Sequence, residues 1–307
     1  MIPDLTERER RRELTVIDGG TGTELRRRGF PVRDDVWTAL AAVTHYPLLR
    51  DIHADFLRAG ADVITANTFA TTRFVLEGAG LAALHERLNR RSVAAALEAR
   101  AAVGRAARVA GSLSCLPPAF DVARYPPAAV EARDYHALAD LLADAGCDLL
   151  VLEMMQDTGH APRACAAARA SGLPFWLGVS ARLEGDRLVA YDLPDVPLEA
   201  SLDALLPYEP AAVCIMHTPL DAVLPALDLL RTRWPGPLGA YPELGVRPGF
   251  GPGANPEPRP DTFSPFSRPD TMLVAEARGW VAAGATIVGG CCGTTPADIR
   301  GLAELRG

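Results

Sequence analysis

The sequence predicts an α/β fold, a single (β/α)8 TIM barrel spanning residues 1–307 as one domain. Three observations carry that expectation. Eight short apolar runs are continuous rather than alternating, the pattern of parallel strands covered on both faces. Amphipathic stretches separate them, and several end in glycine just before the next apolar run, a helix C-cap signal. Eight strand–helix alternations in 307 residues suit a barrel. A doubly wound open sheet is the alternative.

Taken in order, the strand candidates are "LTVID" (14–18), "ADVIT" (61–65), "RVAGS" (108–112) and "CDLLVLE" (147–153). "PFWLGVS" (174–180), "AAVCIM" (211–216), "PLGAY" (237–241) and "ATIVGG" (285–290) follow. The clearest helical patterns are "HYPLLRDIHADFLRAG" (45–60), "LAALHERLNRRSVAAALEARAAVG" (81–104), "AAVEARDYHALADLLADAG" (128–146) and "TMLVAEARGWVAAG" (271–284). One long Pro/Gly-rich segment, 247–270, follows the seventh strand. In a barrel it lies on the C-terminal face, where a long loop reads as a lid or substrate-binding loop.

Composition narrows the function. Hydrophobic residues are 49% and charged residues 22%, ordinary for a soluble globular chain. A net charge of −7 argues against nucleic acid or an anionic membrane as the main partner. No apolar run reaches the roughly 18 residues of a membrane span. The opening "MIPDLTERERRREL" has no apolar segment of the secretory kind, so a cytoplasmic location is expected. Six cysteines are too sparse for a disulfide scaffold, which leaves reduced thiols for metal binding or catalysis. All 31 basic residues are arginine. Without a lysine amine there is no Schiff-base chemistry, and the Gly-Lys-Ser/Thr ending of a phosphate-binding loop is missing too.

Barrel active sites stand at the C-terminal ends of strands. There the chain offers Asp18-Gly19-Gly20, Asn67-Thr68, Gly111-Ser112, Glu153, His217 and Cys291-Cys292. A catalytic zinc takes three protein ligands of Cys and His type and leaves the fourth position to substrate. His217 after the sixth strand and Cys291 and Cys292 after the eighth make such a set, since inward side chains of even-numbered strands share a layer. The cysteine pair also fits a structural role or a vicinal disulfide. Asp18 also fits a turn or N-cap acid, and Glu153 a salt-bridged carboxylate.

These residues carry a family likeness. Through "IDGGTGTELRRRG", "DIHADFLRAGADVITANTF", "GSLSCLPP", "DLLVLE", "AYPELG" and "WVAAGATIVGGCCGTTPADI", the chain resembles the homocysteine S-methyltransferase family nearly end to end. That family consists of zinc-dependent barrel enzymes using S-methylmethionine or betaine as donor, and the compact length and "TGTEL" resemble the S-methylmethionine branch. The resemblance implies Zn2+ as cofactor, with Cys291 and Cys292 as two of its three cysteine ligands. It implies a small-molecule thiol acceptor and a methyl donor as partners, and leaves the oligomeric state open. For an amino-acid acceptor, it implies that Asp18 and Glu153 hold the ammonium and that the Gly19-Gly20-Thr21 turn holds the carboxylate.

The likeness breaks at particular positions. The family's third cysteine, within Gly-(Val/Ile)-Asn-Cys-x-x-Pro, falls on His217 in "CIMHTP", which puts Cys214 on the glycine and Met216 on the asparagine. Cys214 lies three residues earlier, roughly 10 Å down a strand and on its opposite face, so His217 is the expected third ligand. The family's Glu-Thr after the fourth strand is Glu153-Met154, and its "YPNxGE" stretch is Tyr241-Pro242-Glu243-Leu244-Gly245-Val246. Three thiolates on Zn2+ sum to −1, whereas two thiolates and a neutral imidazole sum to 0. A zinc hydrolase and a non-catalytic zinc- or thiol-binding barrel are the rival readings, because three-ligand zinc also activates water.

Overall fold

The protein is described by a computed structural model over residues 13–114, 125–244 and 272–306. The charged N-terminal segment, Cys115, Gly245, Val246 and the 247–270 loop lie outside the described residues.

All eight expected barrel strands form. They are β1 (Thr15–Val16), β2 (Val63–Ala66), β3 (Arg108–Ser114), β4 (Leu149–Met155), β5 (Phe175–Val179), β8 (Ala212–Met216), β9 (Leu238–Tyr241) and β10 (Ile287–Val288), and every pairing between them is parallel. The hydrogen-bonded order β1-β10-β9-β8-β5-β4-β3-β2 leaves one seam, between β1 and β2. A parallel bridge from Ile17 to Val63 closes it, with the Asp62 N–H donating to Val16 O (2.7 Å) and the Asp18 N–H to Val63 O (2.9 Å). Beneath the seam, the buried Asp62 carboxylate accepts from the Val16 N–H (3.0 Å), Arg306 (2.6 Å) and Arg105 (3.2 Å). Three partners offset the cost of burying that charge.

The two faces of the strands fill separate cores. Ile17, Val63, Ala110, Val151, Trp176 and Ile287, among others, pack the barrel interior. Outward residues such as Val16, Ile64, Val213 and Ile215 pack under the helices. Two-sided burial is why the strands read as unbroken apolar runs. Gly60 (φ 110°) and Gly104 (φ 67°) cap the helices Tyr46–Ala59 and His85–Val103 in the left-handed region that glycine adopts without strain.

One element escaped the sequence reading. After β5 the chain makes an antiparallel hairpin, β6 (Ala181–Glu184) with β7 (Arg187–Ala190). Its turn is Gly185-Asp186, with Gly185 at φ 61°. A Gly-Asp pair between two short runs is a hairpin signal that was there to be read. The hairpin leads into Tyr191, which reaches the site. Among the described residues, no helix is long and apolar enough to cross a membrane.

Candidate metal centre and substrate pocket

His217 follows the last residue of β8. Along that strand Ala212, Cys214 and Met216 belong to the interior core, whereas Val213 and Ile215 belong to the outer one. Simple alternation therefore turns residue 217 outward. Instead His217 adopts φ 46°, the left-handed region, which histidine enters more readily than most side chains. This local backbone turn aims a 2%-exposed imidazole at the barrel mouth. The shared layer of even strands, expected from sequence, is thus reached through a backbone reversal rather than through strand register.

Cys291 and Cys292 follow Gly289 and Gly290 at the end of β10. Main-chain bonds tie the turn on both sides. Cys291 N–H donates to Pro242 O (2.9 Å), Leu244 N–H to Cys292 O (2.8 Å) and Gly290 N–H to Asp18 O (3.2 Å). A Cβ on Gly289 would sit 2.7 Å from Ile17 O, so the first and last strand ends approach as closely as they do only with glycine there. Gly20 plays the same part from the other side, where a Cβ would lie 2.5 Å from Cys291 O. Gly20→Ala is accordingly expected to displace the cysteine turn and lower bound zinc at least tenfold, as read by metal analysis after dialysis. Full retention would show that the turn absorbs the extra methyl group.

One ligand atom each from His217, Cys291 and Cys292 lies within 4.8 Å of the other two. Cys291 Sγ is 3.8 Å from His217 Nδ1. Tetrahedral zinc, with Zn–S of ~2.3 Å and Zn–N of ~2.0–2.1 Å, places such a pair roughly 3.6 Å apart. The donor set and its spacing fit zinc. The neighbouring Cys292 thiol, and then burial, push Cys291 well above the usual thiol range, so this pair calls for a cation before it ionises. Cys214 is fully buried in the barrel interior and is not a member of the cluster. Burial alone drives its thiol far up.

The two expected acids flank this centre. Asp18, 2% exposed, accepts from the Thr65 N–H (2.8 Å) and the Thr65 hydroxyl (3.0 Å). Burial pushes its carboxyl up to about 8, Thr65 opposes the rise, and the Glu153 charge adds to it. Glu153 accepts from the Ser112 hydroxyl. Burial pushes it up to about 7, partly opposed by Ser112, with Cys292 adding to the rise. Asp18 is buried and Glu153 partly buried, and two neighbouring carboxyls that repel each other form a site suited to a cation. Beside Asp18, the helix Thr21–Arg27 has Gly20 as its N-cap, and the N–H groups of a first helical turn have no partner within their helix. Glu24 of the same helix is a buried anchor held by Arg27 (2.6 Å) and Arg28 (2.7 Å).

Sequence reasoning missed two residues at the site. Tyr191 donates its hydroxyl to Glu243 Oε1 (2.8 Å) and packs its ring 4.9 Å from the His217 ring. Glu243, noted only as a departure, lies with Oε2 3.5 Å from His217 Nδ1. Two other departures also meet, as the Met154 N–H donates to Met216 Sδ (3.1 Å). Met154, like His217, is left-handed, at φ 59°.

Two thiols and an imidazole, a donor set of the metal-binding kind, thus converge at the C-terminal mouth of a parallel barrel, beside the buried Asp18 and the partly buried Glu153. The homocysteine S-methyltransferase family model matches residues 15–306, and the chain belongs to that family. By class it is therefore an S-methyltransferase. It is 28% identical to the homocysteine S-methyltransferase of Escherichia coli (strain K12), over 95% of each chain. It is 27% identical to the selenocysteine methyltransferase of Astragalus bisulcatus, over 94% of this chain and 91% of that one. The metallated form of the homocysteine methyltransferase MmuM from Escherichia coli superposes with a TM-score of 0.75 at 26% identity, covering 95% of this chain and 96% of that one.

Proposed function

We propose that the protein transfers a methyl group from an onium donor of the S-methylmethionine type to the thiol of homocysteine or a closely related small thiol. Zinc held by His217, Cys291 and Cys292 is the cofactor. The observation that carries this reading is the meeting of three zinc-type ligand atoms within 4.8 Å, beside the buried Asp18 and the partly buried Glu153. A zinc ion bound there would supply the positive charge that keeps an acceptor thiol ionised at neutral pH.

The chain's own residues then act by binding and orientation. Asp18 and Glu153 take the acceptor's ammonium between them, and its positive charge offsets the desolvation that raises both carboxyls. The N–H groups of the Gly19-Gly20-Thr21 turn face the acceptor's carboxylate. So oriented, the acceptor thiolate attacks the donor methyl carbon in line. One S–C bond forms while the onium–CH3 bond breaks, and its electron pair stays on the departing donor, which leaves neutral. No general acid is required, so positioning accounts for the catalysis. The reading includes a cytoplasmic site of action, supported by the reduced thiols it needs.

Proton NMR of homocysteine mixed with S-methylmethionine, or with betaine, tests the proposal. A new methyl-thioether signal is expected, and a hydrolysed donor without it would favour a zinc hydrolase. Glu153→Ala is expected to weaken acceptor binding about tenfold to a hundredfold, the worth of a charge-assisted hydrogen bond of roughly 1.5–3 kcal/mol. Zinc should stay in place. Unchanged affinity for homocysteine would mean that the acceptor's ammonium is held elsewhere.

A further inference from the structure

Tyr241 closes β9, is 2% exposed and belongs to the interior core. Its hydroxyl has no hydrogen-bond partner among the described residues. A buried hydroxyl left in that state costs free energy, and buried tyrosines ordinarily find a partner. The side chain also reaches far from its own strand. A Cβ built on Gly178 of β5 would lie 2.5 Å from the Tyr241 hydroxyl oxygen, 2.7 Å from Leu152 O and 2.8 Å from Met216 Cγ. β9 pairs with β8, and β8 with β5, so the ring crosses the interior past Met216 and ends against a strand two places away. Glycine at 178 leaves the room for it.

That path carries the hydroxyl away from the cysteine turn and toward the carboxyls. Both it and Leu152 O flank the same point over Gly178, which puts them within about 5 Å of each other. Leu152 and Leu177 are register partners, and Glu153 and Gly178 are the next residues of those two strands. Burial first, and then Cys214, Glu153, Cys291 and Asp18, push the phenol well above its usual range, so both acids are among its neighbours.

We infer that Tyr241 is a further acceptor-binding residue, whose hydroxyl oxygen takes one N–H of the acceptor's ammonium beside Asp18 and Glu153. This rests on the reading of those two acids as the ammonium site. An ammonium carries three N–H donors, and each needs an acceptor where water is shut out. The carboxyls already accept from Thr65 and Ser112. A phenol oxygen adds lone pairs without adding charge, so it completes the set without increasing the repulsion between the two acids. The acceptor selected is then a thiol with a free amino group. A thiol without one leaves the hydroxyl unpaired and is rejected for that reason.

Calorimetric titration of the zinc-loaded full chain with two thiols tests this. One is homocysteine. The other is 4-mercaptobutanoate, which keeps the thiol and carboxylate but has no amine. Tyr241→Phe removes only the hydroxyl. It is expected to weaken homocysteine about 10- to 100-fold, the effect of losing a hydrogen bond to a charged group. The amine-free thiol should bind the variant within about threefold of the parent, or more tightly. Zinc content should not change, and the thermal transition without acceptor should hold or rise, because phenylalanine leaves no buried hydroxyl unpaired. Unchanged homocysteine affinity, equal losses for both thiols, or a lowered transition would overturn the inference. Glu153→Ala separates this from failure of the ammonium site. If that variant binds homocysteine as the parent does, the reading of the two acids fails and Tyr241 falls with it. If it binds homocysteine more weakly while Tyr241→Phe does not, only the role given to Tyr241 fails.

Discussion

Replacing either Cys291 or Cys292 with alanine is expected to strip the protein of zinc and, with it, of methyl transfer. Both thiols meet His217 within 4.8 Å, and each would be one of only three protein ligands. Structural zinc sites are worth about 10–16 kcal/mol with all ligands present, so one ligand in three or four accounts for roughly 3 kcal/mol or more, a loss of at least a hundredfold in affinity. The fold should survive, because each cysteine is only half-buried and the turn is held by main-chain bonds to Pro242 and Leu244 that alanine preserves. Metal analysis after dialysis against a weak chelator should give about one zinc per chain in the parent and little in either variant. An unchanged thermal transition in the apo form would confirm that only the site was lost. Full zinc retention in both variants would remove the basis of the assignment.

Acid destabilisation centred on His53 is the second large effect. His53 lies on the helix Tyr46–Ala59, is 0% exposed, and neither of its ring nitrogens has a hydrogen-bond partner among the described residues. Burial pushes its pKa down to about 4, from 6.5 in the unfolded chain. Between those values the unfolded chain binds a proton that the folded protein refuses, so stability rises with pH across the window and is lost as pH falls from about 6.5 toward 4. Going from pH ~7.5 to ~4.5, this single group should cost roughly 2–3 kcal/mol, at about 1.4 kcal/mol per pKa unit. His53→Leu removes the titration along with two unsatisfied polar atoms. In urea titrations at the two pH values, the parent should lose roughly 2–3 kcal/mol more than the variant. Equal losses would show that His53 finds a proton partner in the folded state.

Much of this protein was determined by its sequence alone. The eight strands were legible because parallel strands covered on both faces leave continuous apolar runs, and that signal needs only neighbouring residues. The ends of the helices capped by Gly60 and Gly104 were legible for the same reason, since a left-handed cap selects glycine locally. Cys291, Cys292, Asp18 and Glu153 stood out because barrel chemistry gathers at strand ends, whose positions follow from the strands. The β6–β7 hairpin went unread although its Gly185-Asp186 turn was in plain view, because an eight-unit alternation left no place for it.

Other features only the tertiary structure decided. Alternation along β8 directs His217 outward, and the left-handed turn that brings it to the cysteines exists because β8, β9 and β10 end side by side around one mouth. The raised carboxyls of Asp18 and Glu153 come from burial, which no residue possesses until the barrel closes. The meeting of Glu243 with His217 and Tyr191 joins segments after three different strands. Periodicity and turn chemistry are local and survive in the linear chain. Burial, charge balance and convergence are collective, and they come into being when the strand between Thr15 and Val16 pairs on one side with Ile287–Val288 and its end meets Val63 on the other.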